Sequence, residues 1–185
     1  MVSSASSYVI VGPGRPDVPS TTAGTITGNE PVGAEYRSTD GAQVGAFVWM
    51  KRPGNKWEVT VGDTGWREMP GTGASGTVLM NRVRRIGQTV QMIGRSKNET
   101  TSTITWPKIF NAAPASGFNI EHAIPQLPPL PLYLGDVVTD AGWDGATRTW
   151  VTSPKHFPAN GIFQWRTTWT TADAWPTAPL PGSPA

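Results

Sequence analysis

The segment from Phe47 to Arg67 reads FVWMKRPGNKWEVTVGDTGWR. Two apolar runs, 44–50 and 57–61, flank Arg-Pro-Gly-Asn-Lys, and a turn-forming break between short apolar runs signals a β-hairpin. With Gly54 and Asn55 as the central turn residues, Arg52 pairs with Trp57, Lys51 with Glu58, Met50 with Val59 and Val48 with Val61. One face then carries Val48, Met50, Trp57, Val59 and Val61. The other carries Trp49, Lys51, Glu58 and Thr60, with opposite charges directly across from each other. A three-residue turn would instead pair Met50 with Glu58 and mix the two faces, so the two-residue register is expected. It gives Trp57 an intrachain role and leaves Trp49, on the face opposite the apolar one, with little to cover it. Trp49 and its neighbour Phe47 are therefore the candidate contacts between copies of the chain.

The same reading extends outward from this hairpin. The chain has 185 residues with 21 glycines and 18 prolines, punctuation that disfavours long helices and suits short strands joined by turns. Residues 77–85 and 88–93 form a second expected hairpin around Ile86 and Gly87, with Val83 facing Val90 and Met80 facing Ile93. Further strands are expected at 100–106, 133–138, 148–152 and 161–170, the last placing Phe163, Trp165, Thr167 and Trp169 on one face. No segment carries a helical period over ten residues. The expected fold is all-β: a small N-terminal β-hairpin module, then an antiparallel β-sandwich head, preceded by an extended arm.

Composition supplies the boundaries. Residues 1–30 are rich in Ser, Thr, Gly and Pro, and read as the extended arm. The hairpin module spans 31–69, the flexible stretch PGTGASG at 70–76 separates it, and 77–185 form the head. Within the head, 107–132 are proline-dense and read as a polyproline-like connection over the sandwich surface, the alternative being a ligand for an aromatic-lined groove. The N-terminal apolar run at 8–11 is too short for a signal peptide or a membrane span, so neither secretion nor membrane insertion is expected.

Several chemistries are disfavoured. There are no cysteines, which removes disulfides, thiolate metal sites and thiol nucleophiles. A net charge of +2 is too small to predict nucleic-acid binding. The densest basic cluster, Arg82, Arg84 and Arg85, reads as a solvated strand end or a protected edge. Neither histidine, His122 or His156, accompanies a G-x-S-x-G elbow, and both read as structural or surface residues. Asp136, Asp140 and Asp144 lack the ligand order of a calcium loop, so no metal and no cofactor is expected. The sequon at Asn98 reads as accidental without a secretory signal.

Tryptophan is the anomaly. The chain has nine, against three tyrosines and five phenylalanines, more than one small β domain would bury alone. Surplus indoles stack on sugars or fill interfaces between copies. Trp143, in the loop-like DAGWDGATRTW, is the sugar-stacking candidate, together with Asp144 and Trp150.

Finally, GPGRPDVPSTT followed by EPVGAEYRSTDGAQVGAFVWMKRPGNKWEVTVGDTGWR resembles a module of bacteriophage tail fibres and minor tail proteins. The matching positions are Pro31, Gly33, Tyr36, Ser38, Thr39, Asp40 and Gly41, then Trp49, Trp57, Gly62, Asp63, Gly65 and Trp66. The downstream RVRRIGQTVQMIG and the terminal ADAWPTAPLPGSPA are similar to the distal domain of minor tail proteins from phages of actinobacteria. The resemblance implies a non-enzymatic, homotrimeric protein on the virion exterior, assembled in the host cytoplasm. Its implied partners are itself, neighbouring virion proteins through the N-terminal arm, and host-envelope glycans. The chain departs from the pattern in having no long fibre shaft. A capsid decoration protein or head fibre is the alternative in the same class; a monomeric carbohydrate-binding module is the alternative from another.

Overall fold

A computed structural model of the chain describes residues 8–18, 26–69, 77–103, 108–110, 116–118, 130–134, 137–144, 149–152, 158–176 and 180–185. It is all-β: the described residues form a four-stranded and a nine-stranded sheet, and their one helical element is a 3-10 turn at Gly41–Gln43. The chain divides into two compact units. The first comprises Met1–Gly65, Arg85–Gly87 and Ala174–Leu180, and the second Trp66–Arg84, Gln88–Asp173 and Pro181–Ala185.

The first unit holds strands β1 (Val9–Gly12), β2 (Glu35–Ser38), β3 (Ala46–Arg52) and β4 (Lys56–Gly62), ordered β1-β2-β3-β4. β1 runs parallel to β2, and β2, β3 and β4 are antiparallel to their neighbours. Alternation along the strands puts Ile10, Tyr36 and Trp49 on one face, in register across three strands. Together with Ile26, Val44, Ala46 and Trp175 they make the core of this unit. Part of the stretch read as an arm is thus built into its own chain, since Ile10 and Ile26 are both buried.

The motif YRSTDG closes the turn between β2 and β3. Asp40 Oδ1 accepts from the Gly14 N–H at 3.0 Å, the Ser38 hydroxyl at 2.7 Å and the Ala42 N–H at 2.9 Å. The Tyr36 hydroxyl donates to Pro13 O at 2.6 Å. These bonds tie the segment 13–14 to the turn, so the residues that carry the family resemblance have a structural use.

The hairpin register differs from expectation. Arg52 pairs with Lys56, Lys51 with Trp57, Met50 with Glu58 and Trp49 with Val59. The turn therefore has three residues, Pro53-Gly54-Asn55, with Gly54 and Asn55 at φ 73° and 58°. Register shifts then intervene on either side of Val48, so that Val48 meets Val61 as expected and Ala46 meets Gly62. The faces are re-sorted as a result. Trp49, Lys51, Trp57 and Val59 share the core side, while Val48, Met50, Glu58 and Val61 lie on the other.

The second unit contains β5 (Arg67–Glu68), β6 (Thr77–Ile86), β7 (Thr89–Lys97), β8 (Lys108–Phe110), β9 (Leu130–Leu134), β10 (Val137–Asp144), β11 (Thr149–Thr152), β12 (Ile162–Thr170) and β13 (Ser183–Pro184). The end of β6 and the Gly87 turn residue count with the first unit. The sheet order is β13-β5-β6-β7-β12-β9-β10-β11-β8. The ladder between β7 and β12 runs unbroken from Ile162↔Lys97 to Thr170↔Thr89. Along β7 the buried positions are Val90, Met92, Gly94 and Ser96, and along β12 they include Trp165 and Trp169. The Trp165 ring covers Gly94, its register partner: a Cβ on Gly94 would stand 2.1 Å from Trp165 Cζ2. Only glycine leaves room for an indole laid flat across the neighbouring strand.

Three strand expectations change. The second hairpin turns at Gly87 and Gln88, one residue later than expected. Residues 100–103 are not a strand; the Thr100 N–H and hydroxyl instead both donate to Asn98 Oδ1. The expected strand at 133–138 is a reversal from β9 to β10, with Leu134 opposite Val137. The proline-dense stretch contributes β8 and the start of β9, where Pro131 stands opposite Asp140. Residues 107, 111–115 and 119–129 of that stretch lie outside the described residues, as do residues 70–76.

Candidate functional site

The turn that upset the expected register builds a cleft in the first unit. Because Lys51 and Trp57 are paired in register, both side chains leave the end of the hairpin on the core side. Asn55, in the left-handed region, folds its carboxamide back over the hairpin. The cleft is about 370 Å³, lined among others by Asp17, Gly28, Lys51, Asn55, Lys56 and Trp57.

Its floor is a polar network around Lys51. The ammonium donates to Asn55 Oδ1, stands 3.5 Å from Glu30 Oε2 and lies 5.0 Å from the Trp57 ring centroid. That last distance is within cation–π range. Glu30 is fixed from its other oxygen, with Oε1 accepting from the Thr27 N–H at 2.7 Å and the Thr27 hydroxyl at 3.1 Å. Burial alone raises the Glu30 carboxyl. Hydrogen bonds from the Thr27 N–H, its own N–H and the Thr27 hydroxyl, with the Lys51 charge, more than reverse this and hold it below its ordinary value. Glu30 is therefore a carboxylate at neutral pH.

The walls are aromatic and charged. Tyr36 meets Trp57 edge-on, with centroids 6.3 Å apart and planes at 70°, which fixes the indole by an edge-to-face contact. Trp57 is half-buried, and Lys56 beside it is exposed. On the opposite rim Arg15 holds Asp17 through two bonds, Nε to Oδ1 at 3.0 Å and NH2 to Oδ2 at 2.6 Å. The cleft thus combines part of an aromatic ring, an exposed cation, a fixed carboxylate and a polar floor. Such a set offers a ligand ring contact together with hydrogen bonds.

The residues singled out from sequence fall elsewhere. Trp49 is 1% exposed, packed inside its own chain with its Nε1 donating to Ala46 O at 3.2 Å. The expectation that it packs on a neighbouring chain is overturned, because the shifted register turns it onto the core side. Phe47 is 43% exposed, with one edge of its ring against Gly41. Trp143 and Trp150 are directly opposite each other on β10 and β11, with Asp144 opposite Thr149. Trp143 is therefore a strand residue and not a loop residue; the side chains of all three lie outside what is described. Asp136, His122 and His156 also lie outside the described residues.

Of the basic cluster, Arg82 pairs with Glu68 at 2.7 Å. Arg85 is buried, 4.9 Å from the Trp175 ring centroid, and donates to Gly87 O and Ala174 O. Asn98 is fully buried, its Nδ2 donating to Ser102 O and Pro158 O, which leaves no exposed amide for a glycan. Among the described residues no group of three or more His, Cys, Asp or Glu side chains is placed to hold a metal ion.

Sequence reasoning missed Glu30, Asp17 and the joint role of Lys51 and Asn55. The available signal was the loop itself, since Pro-Gly-Asn before Lys56 also fits a three-residue turn ending in a left-handed residue. No family model, curated protein or solved structure matches the chain.

Proposed function

We propose that this chain is a non-enzymatic structural protein of a phage particle. It stands on the exterior of the virion at the tail tip or fibre as a homotrimer, and it holds host-envelope glycans. The observation that carries the glycan reading is the cleft beside Trp57, where the ring, Asp17 and Lys56 offer a sugar an apolar contact flanked by polar groups. A single shallow site of this kind binds weakly. Three copies on one trimer gain through effective concentration.

The trimer reading draws support from the outer side of the N-terminal sheet. Val11, Arg37, Val48 and Val61 form one row across it. Val11 is 61% and Val61 54% exposed, apolar surface of the sort that contacts between copies cover.

Three measurements test the proposal. Immunogold labelling of particles is expected to mark the tail; labelling of capsomers would move the protein to capsid decoration. Sedimentation is expected to give three times the 19.8 kDa chain mass, and a monomer would favour an isolated carbohydrate-binding module. Titration with envelope polysaccharide is expected to show binding that Trp57→Ala abolishes. Binding that survives Trp57→Ala but is lost in Trp143→Ala would shift the site to the β10–β11 pair.

A further inference from the structure

The cleft floor brings a carboxamide and a carboxylate to one amine. Lys51 Nζ touches Asn55 Oδ1, and Glu30 Oε2 is 3.5 Å from the same nitrogen. The Lys51 and Glu30 side chains are only 4% and 1% exposed. Glu30 Oε1 is held by Thr27, whereas Oε2 accepts no hydrogen bond among the described residues. A buried ion pair carries a desolvation penalty that its mutual attraction repays only with full hydrogen bonding. The open Oε2 faces the ammonium and lies where a proton leaving it would go.

We propose that Lys51 and Asn55 become joined by an amide bond between their side chains, with Glu30 as the proton acceptor. Glu30 Oε2 takes one proton from the Lys51 ammonium. The neutral amine attacks Asn55 Cγ, and the Nζ–Cγ bond forms as the Cγ–Nδ2 bond breaks. The departing nitrogen takes a second amine proton and leaves as ammonia. One ammonium and one carboxylate have become an amide N–H and a neutral carboxylic acid, so charge balances and no oxidant or cofactor is consumed. The acid on Glu30 can then donate to the new amide, and the buried charges are gone.

Three features favour the step. The turn holds amine and carboxamide together, replacing a bimolecular encounter by a fixed approach. The lysine is nearly sealed from water, with its side chain 4% exposed and its nitrogen 5.0 Å from the Trp57 ring centroid, and desolvation is one way an amine is made nucleophilic. The carboxylate that receives its proton is already positioned. Asn55 Nδ2 faces Gly28, a lining residue of the open cleft, where a Cβ would stand 3.9 Å from it, so ammonia has a way out. The bond would fix the turn to its strand beneath Trp57, and it stands or falls independently of what the cleft binds.

Intact-mass spectrometry of the denatured full chain tests this. The expected mass is lower than the sequence mass by one ammonia. The loss should map to a fragment containing residues 51–56, with Lys51 refractory to trypsin and to amine acetylation. Asn55→Gly keeps the left-handed turn and removes the carboxamide; it should show the full sequence mass with an unchanged near-ultraviolet tryptophan spectrum. Glu30→Gln should also retain the ammonia. A wild-type chain that keeps its full mass after prolonged incubation in the native state overturns the proposal. So does an ammonia loss that persists in Asn55→Gly, and persistence in Glu30→Gln overturns the role given to Glu30.

Discussion

The two units solve the same problem, burying an indole, with different reach. In the second, Trp165 lies across Gly94, its own register partner on the adjacent strand. In the first, Trp175 lies over Gly62, where a Cβ would stand 2.5 Å from the ring, and it arrives from a segment far away in sequence. Its Nε1 donates to Val44 O at 3.0 Å, and Arg85 covers it. One arrangement joins register partners on adjacent strands; the other joins three separate stretches of chain. The tryptophan count that pointed toward interfaces is in part explained this way. Trp49, Trp165, Trp169 and Trp175 are all buried within the chain, two of them over glycines.

The strongest way to break this comparison is Trp49→Ala. A buried aromatic truncated to alanine costs about 3–5 kcal/mol, and here the loss is intrachain. Thermal melts at several protein concentrations should show the same depression of Tm at each. A depression that shrinks as concentration rises would restore Trp49 to an interface between copies. Next in size is Gly94→Ala, because the added methyl meets the Trp165 ring and overpacking of a filled site costs about 1–3 kcal/mol. Paired with Gly62→Ala, it separates the two units. Gly94→Ala should loosen amide protection along β7 and β12, and Gly62→Ala along β3 and β4. A uniform loss from either substitution would mean that the units do not open independently.

How far the sequence revealed this depends on how local each cause is. The alternation in β12 is read directly from IFQWRTTWT, because its period of two lies within the segment itself. The hairpin at 46–62 was legible as a hairpin but not in register. The shift between Trp49 and Val48 restores the expected Val48–Val61 pair and the one between Val48 and Ala46 undoes it, and nothing in the composition of Phe47 or Thr60 announces either. Once the register moves, Lys51 joins Trp57, and the cleft appears where the sequence showed only a surface Lys–Glu pair. Glu30 was illegible for another reason: it reaches Lys51 from a stretch whose composition reads as an arm.

A smaller effect tests the turn that precedes the hairpin. The Ser38 hydroxyl is the largest influence on Asp40; together with the Gly14 and Ala42 N–H groups it lowers the carboxyl below its ordinary value against the opposing pull of burial. A depressed folded value means that the carboxylate stabilises the fold above its unfolded pKa of about 3.9. That contribution fades as the pH falls from there through the folded value. Denaturant midpoints measured down the acid limb should therefore fall more steeply for wild type than for Asp40→Asn, with the two converging at low pH. Parallel limbs would show that Asp40 is not coupled to folding, and the resemblance-bearing YRSTDG motif would need another explanation.

The smallest expected effect is the sharpest check on which charged pairs matter. Arg52 and Glu58 pair across the hairpin with side chains 47% and 59% exposed. Water screens such a pair, and holding two long side chains together costs entropy, so its net contribution is about 0.2–1 kcal/mol at most. The Lys51–Glu30 pair sits one residue away in sequence but on the core side, nearly sealed from water. Arg52→Ala should therefore barely move the denaturation midpoint, and added salt should erase what difference there is. Glu30→Ala leaves a buried cation facing a vacated oxygen site and should cost far more, insensitive to salt. Equal costs for the two substitutions would mean that the cleft floor is as wet as the hairpin's outer face, and the polar network beneath Trp57 would lose its claim to a special role.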